Sequence, residues 1–253
     1  MFIIYLVRIL ANFVMFCLLG RKRVYGLENL PPKGSYITVS NHMSMTDSIL
    51  LIISGPPIET RFWAAEKWMQ HPLGGPLLRA LGGIEIQRGE ADRKAVRAAF
   101  AAIEAGFPFG VAPEGTRSKV GALMQAKHGG AYLATRVKVP VLPVGIVNTD
   151  KFFDNFKHLR RTTLEVHIGR PFYLPDIGRR VRQPELPAYT HYMMIHIAAL
   201  LPARYHGYYA DSPALKALLA GEDPWPLCWT AEGLTPPDGL GIEAGDDSAE
   251  SRP

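Results

Sequence analysis

Apolar residues crowd the start of the chain: Phe2 to Leu19 is broken only by Arg8 and Asn12. On a helix, Tyr5, Arg8 and Asn12 fall at i, i+3 and i+7, one narrow polar stripe on an otherwise greasy surface. This predicts an N-terminal membrane-associated helix. The run is just long enough to span a bilayer. An arginine in mid-segment costs about 2.5–3.5 kcal/mol on insertion, so spanning, re-entrant and interfacial arrangements stay open. Arg21, Lys22 and Arg23 follow at once, well placed for anionic head groups. A cleaved signal peptide fits poorly, since the start is not basic and Cys-Leu-Leu-Gly is a poor cleavage site. After a turn at Pro31 to Gly34 the pattern alternates. Tyr36–Ser40, Arg61–Ala64, Ile84–Gln87, Phe109–Ala112, Val141–Ile146 and Leu164–Ile168 read as strands. Asp47–Ile53, Pro76–Leu81, Asp92–Ala105, Gly130–Val137 and Thr190–Leu201 read as helices. Such alternation predicts an α/β fold with a mostly parallel central sheet flanked by helices.

Charge divides the chain further. The formal net charge is +5, but the stretch from Ala231 carries Glu232, Asp238, Glu243, Asp246, Asp247 and Glu250 against Arg252 alone. That segment is therefore −5 and the rest about +10. The organisation expected is a membrane-associated helix with basic flank over 1–25, one domain over 26–230 and an acidic, disordered tail over 231–253. A basic body suits a phospholipid surface or a phosphorylated substrate. Nucleic acid is disfavoured: no finger spacing, aromatic-basic signature or recognition-helix motif is present. Cys17 and Cys228 offer neither a disulfide framework nor metal-ligand spacing and read as structural or incidental.

The unusual polar clusters all follow strands, where open α/β sheets build their sites. The first is Asn41-His42-Met43-Ser44-Met45-Thr46-Asp47. Histidine is suited to take a proton near neutral pH, and a carboxylate on its other nitrogen fixes the tautomer. His42 and Asp47 do not share a face of one ideal helix; they meet only if His42 lies in the turn and Asp47 opens the next helix. Ser44 as a nucleophile lacks the Gly-x-Ser-x-Gly elbow and reads better as a hydrogen bonder at the helix entry. A metal on His42, Asp47 and His71 lacks ligand spacing. In Pro113-Glu114-Gly115-Thr116-Arg117-Ser118, backbone can approach a phosphate at Gly115, Thr116 can donate and Arg117 can grip two oxygens. Glu114 would accept from a substrate hydroxyl or orient Arg117, and Arg88 would add a second phosphate contact.

These blocks, with Gly83-Ile84-x-Ile86-x-Arg88 and Val139-Pro140-Val141-x-Pro143-Val144, occur in an order that resembles the glycerolipid acyltransferase family that includes 1-acyl-sn-glycerol-3-phosphate acyltransferases. The resemblance runs from about Gly26 to Gly169 and rests most on the first and third blocks. It implies a glycerol-3-phosphate acyltransferase-like fold and an enzyme located on a membrane, at the cytoplasmic face. It implies His42 as general base and Asp47 as its orienter, the family's His-x4-Asp pair. It also implies Arg88, Glu114, Gly115, Thr116 and Arg117 as contacts to a phosphorylated lipid acceptor. The 139–144 block would serve donor handling or site shape. The donor would be acyl-CoA or acyl carrier protein, with no metal or redox cofactor. Ala112 and Glu85 stand where the family commonly carries aromatic residues, which bears on acceptor identity more than on reaction type. A different lipid acceptor, a hydrolase and a non-catalytic lipid binder are the competing expectations.

Overall fold

A seven-stranded sheet forms the middle layer of the computed structural model, which describes residues 2–18, 20–55, 58–87 and 92–237. The strands are β1 (Gly20–Tyr25), β2 (Ile37–Ser40), β3 (Arg61–Ala65), β4 (Gly83–Ile86), β5 (Phe109–Val111), β6 (Val141–Val147) and β7 (Thr162–Ile168). They lie in the order β1-β7-β6-β2-β5-β3-β4, every junction parallel except β6–β7. Parallel neighbours need crossovers, and the crossovers are helical, so both faces are covered. The helices are α1 (Phe2–Cys17), α2 (Thr46–Ser54), α3 (Glu66–Met69), α4 (Gly74–Ala80), α5 (Arg93–Glu104), α6 (Gly129–Val137), α7 (Phe152–Lys157), α8 (Leu186–Ala198), α9 (Pro213–Ala220) and α10 (Trp225–Ala231).

Alternate residues of each central strand feed two cores. On one face Leu142, Val144, Leu164 and Val166 pack with Leu50 and Ile53 of α2 and Met15 of α1. On the other, Ile37, Val39, Phe109 and Val111 pack with Ala99 and Ile103 of α5, Leu133 of α6 and Met193 of α8. β6 is buried at every position, which explains its unbroken apolar reading. Asp92 caps α5, accepting from Lys94 N at 3.1 Å and Ala95 N at 2.9 Å, so the helix begins one residue later than the charge pattern predicts.

The N-terminal segment differs most from its sequence reading. Among the described residues no helix is long and apolar enough to cross a membrane, and α1 has 16 residues. Residues 20–25, read as a basic flank, are the edge strand β1, where charged side chains discourage further pairing. Arg8 donates to Ile52 O, while Lys22 donates to Ile53 O and, at 3.2 Å, to Asn12 Oδ1. Both cations thus cap the C-terminal carbonyls of α2, where the helix dipole favours positive charge. Burial, then the neighbouring Arg8, pushes the Lys22 ammonium pKa down. Lys22 is therefore turned inward, away from the head groups expected for it; Arg21 and Arg23 remain exposed. The outer surface of α1 is left apolar: Phe2, Leu6, Ile9, Leu10 and Phe13 are all exposed.

The region after residue 201, for which the pattern predicts little, folds into α9 and α10 against α8, around Tyr189, Trp225 and Trp229. Cys228 is buried there, which pushes its thiol pKa up. Of the acidic tail, residues 238–253 lie outside the described residues, as does Arg88.

Candidate active site

The site stands where β2 and β5 end. Asn41, the first residue past β2, is fully buried. Its side chain donates to Ile146 O at 2.8 Å and accepts from Ile146 N at 2.7 Å, extending the sheet by one amide that is not backbone. The chain then turns sharply, and Asp47 in the first turn of α2 closes the turn from the far side. One of its oxygens, Oδ2, accepts from Met43 N at 2.6 Å, from Ser44 N at 2.8 Å and from His42 Nδ1 at 2.8 Å. Two backbone donors thus fix the carboxylate before it meets the ring. A carboxylate facing Nδ1 places the proton on Nδ1 and leaves Nε2 as the acceptor. Nε2 has no partner among the described residues, and the His42 side chain is 20% exposed against 3% for Asp47. The ring has one locked edge and one open edge.

Glu114 secures the same histidine through its backbone. Oε1 accepts from His42 N at 3.0 Å and Oε2 from Met124 N at 2.9 Å, while Ser118 N donates to His42 O at 2.7 Å. The loop after β5 is therefore fastened to both sides of the His42 residue. Glu114 is 2% exposed. Its removal from water pushes its pKa above the usual carboxylate range, although the two backbone donors pull the other way. Sequence reasoning expects Glu114 to meet a substrate hydroxyl or Arg117; both its oxygens instead hold backbone amides, and no Glu114–Arg117 bond occurs among the described residues.

Gly115 adopts φ +67°, a left-handed turn in which a side chain is strained. A Cβ there would also lie 3.0 Å from Lys127 Cδ. Lys127 thus lies across the glycine, held by its own N–H on Pro113 O at 2.8 Å, and is a cationic member of the site that the motif pattern passes over. Its signal was faint: one lysine ahead of Gly129-Gly130. Thr116 and Arg117 are half-buried in the same turn. Ser44 Oγ accepts from Thr46 Oγ1 at 3.1 Å, at the entry to α2. His71 uses Nδ1 to accept from Gly74 N at 3.1 Å, at the start of α4.

A cavity of about 1240 Å³ opens at His42 and Asp47, with Gly115 and Lys127 on its wall. It passes over the strand ends and descends both faces of the sheet. One arm runs beneath α1 and α2 and is mostly apolar, walled by Ile4, Leu51, Ile52, Phe62, Val144 and Ile168, with Thr38 and Ser40 among them. The other runs between α5 and α6 past Phe100, Tyr132 and Arg136. The arrangement can bind a long apolar chain, hold an anion near the glycine turn and draw a proton from a hydroxyl brought to Nε2.

Comparison with known proteins finds acyltransferases. The 1-acyl-sn-glycerol-3-phosphate acyltransferase of Borreliella burgdorferi is 31% identical over 134 residues, covering 51% of this chain and 52% of that protein. The human 1-acyl-sn-glycerol-3-phosphate acyltransferase alpha is 29% identical over 140 residues, covering 53% and 48%. The chain spans about half the length of the curated relatives it matches. The crystal structure of PlsC, the 1-acyl-sn-glycerophosphate (LPA) acyltransferase from Thermotoga maritima, superposes with a TM-score of 0.61 at 25% identity, over 78% of each chain. A family model described as Acyltransferase matches residues 21–147, slightly more than half of the chain, and that span holds His42, Asp47, the glycine turn and the strands that carry them: the chain belongs to the Acyltransferase family.

Proposed function

We propose that this protein moves a fatty acyl group from acyl-CoA or acyl carrier protein to the free hydroxyl of a 1-acyl-glycerol 3-phosphate, giving phosphatidic acid. The observation that carries the reading is the half-locked imidazole: Nδ1 is tied to Asp47 at 2.8 Å and Nε2 is open to the cavity. The acceptor hydroxyl gives its proton to His42 Nε2 as its oxygen attacks the thioester carbonyl. The imidazolium, stabilised by Asp47, then returns that proton to the departing thiolate as the C–S bond breaks. An ester and a free thiol result, and His42 is neutral again. The acyl tail occupies the apolar arm, and the acceptor phosphate lies at Gly115, Thr116, Arg117 and Lys127.

The apolar outer face of α1 suits an interfacial helix seated in a lipid surface. The positive charge of residues 1–230 supports an anionic leaflet, placed here at the cytoplasmic face. The test is an assay of the purified protein with lysophosphatidic acid and a labelled acyl-CoA, repeated without acceptor. Labelled phosphatidic acid that forms only with acceptor supports the reading. Free fatty acid in its absence indicates a hydrolase, and lipid binding without product indicates a non-catalytic binder.

A further inference from the structure

The acceptor and the donor make different demands on the space around His42. In a glycerol phosphate the phosphate is close to the attacking hydroxyl, so its anion site must be near the base, and the Gly115–Lys127 turn lines the same cavity as His42. In a thioester donor the carbonyl sits mid-molecule, with the acyl tail on one side and a long pantetheine arm ending in phosphate on the other. Such a donor needs two channels that diverge from the base. The cavity has two, and the apolar arm accounts for only the tail.

The second arm carries its own anion chemistry. On α5 the residues Arg93, Val96, Arg97 and Phe100 share one helical face and line it, opposite Tyr132 and Arg136 of α6. Phe100 and Tyr132 meet edge to face at 6.3 Å and give this arm an aromatic wall. Arg93 and Arg97 are exposed and have no carboxylate partner among the described residues. Arg136 is fixed instead, by Tyr132 at 5.1 Å and by Val181 O at 2.9 Å. The start of α5 is moored to the end of β4, since Asp92 accepts from Gln87 N at 3.0 Å. Between β2, which leads to His42, and β4 lie β5 and β3. Three strand spacings put the Arg93 end of the arm about 14 Å from the base. That separation is one that a long pantetheine arm can bridge.

Resting on the function proposed above, we infer that the α5–α6 arm receives the 4′-phosphopantetheine limb of the acyl donor, with Arg93 and Arg97 gripping its phosphate. That group is common to acyl-CoA and to acyl carrier protein.

The test is the double variant Arg93→Glu/Arg97→Glu, which alters two exposed positions, with its thermal midpoint checked against wild type. KM is measured for acyl-CoA, for the acyl thioester of 4′-phosphopantetheine, for acyl-pantetheine without phosphate, and for lysophosphatidic acid. The expected result is a rise of about tenfold or more for the phosphate-bearing donors, with acyl-pantetheine and lysophosphatidic acid unmoved. An acyl carrier protein thioester run in parallel separates the two sources: both donors should shift, and the natural one is the donor that the wild type uses with the higher kcat/KM. A rise in KM for lysophosphatidic acid would give the arm to the acceptor and overturn the inference, as would equal behaviour of all donors. Calorimetric titration of free coenzyme A into both proteins needs no turnover. Tighter binding by wild type supports the inference even if no ester forms, whereas equal binding defeats it even if the acyltransferase reading holds.

Discussion

Two histidines in this molecule each hold a carboxylate oxygen 2.8 Å from Nδ1: His42 with Asp47, and His191 with Glu232. By that distance they are equivalent, and His191 looks the richer of the two. Its Nε2 lies 2.7 Å from Ser212 Oγ, completing the serine–histidine–acid series of a nucleophile triad. The surroundings reverse the ranking. His191 is 4% exposed and Ser212 8%, and neither lines the large cavity. Ser212 also caps α9, accepting from Leu215 N at 3.3 Å, and Glu232 closes α10. The trio therefore ties three helices together with every ring nitrogen occupied. His42 has one edge held and the other facing open space. What separates a base from a rivet is the free nitrogen and the volume in front of it.

The largest effects should fall on the open pair. Replacing Asp47 with Asn removes the charge that holds the Nδ1–H tautomer and stabilises the imidazolium, and a loss in kcat on the order of 10⁴ is expected. His42→Ala removes the base itself and should lose at least as much. Both variants should keep the wild-type circular dichroism. His191→Ala should do the reverse: it strips two buried hydrogen bonds, leaving Glu232 without its ring partner and Ser212 with only its bond from Leu215 N, and lowers stability by about 1–3 kcal/mol. Turnover per folded molecule should stay at the wild-type level. A loss of turnover in His191→Ala comparable to that of His42→Ala would break the contrast.

Much of this was legible in the sequence, for a physical reason. Strands buried on both faces, such as Val141 to Val147, announce themselves by unbroken apolar runs, and helices such as α5 by an acidic start, alanine-rich helix formers and a glycine stop. The His42–Asp47 pair was legible because it is local: five positions and one turn bring the groups together. What was hidden depends on distant partners. Strand β1 is an edge strand of charged residues, recognisable only once β7 lies beside it. Glu114 reads as a ligand group until its bonds to His42 N and Met124 N are in view. Arg8 reads as an expense in an apolar helix until it is found on Ile52 O, and the C-terminal aromatic cluster gives no period at all. The Arg8 assignment can be checked. If it caps α2, the helix that carries Asp47, then Arg8→Met should cost about 1 kcal/mol by urea denaturation. A variant as stable as wild type would show the cap to be idle.

The smallest expected effect concerns the back wall of the open site, which the rivet lacks: a second buried carboxylate. Glu114 holds its proton more tightly in the folded chain than at the ordinary value of 4.5, because burial outweighs its two backbone donors. Unfolding therefore releases a proton just above pH 4.5. The contribution of Glu114 to stability is complete below that value and is lost as pH rises through the folded pKa, with a slope of at most about 1.4 kcal/mol per pH unit. Glu185 has the opposite sign. Arg179 and Arg182 hold its pKa at about 2, so its contribution is complete above 4.5 and is lost as pH falls from 4.5 through about 2. Urea midpoints from pH 3 to 8 should separate the two. Glu114→Gln should flatten the decline above pH 4.5 and leave the acid limb intact, and Glu185→Gln should do the converse. If Glu114→Gln left the upper limb unchanged, burial would not be raising the Glu114 pKa above its unfolded value.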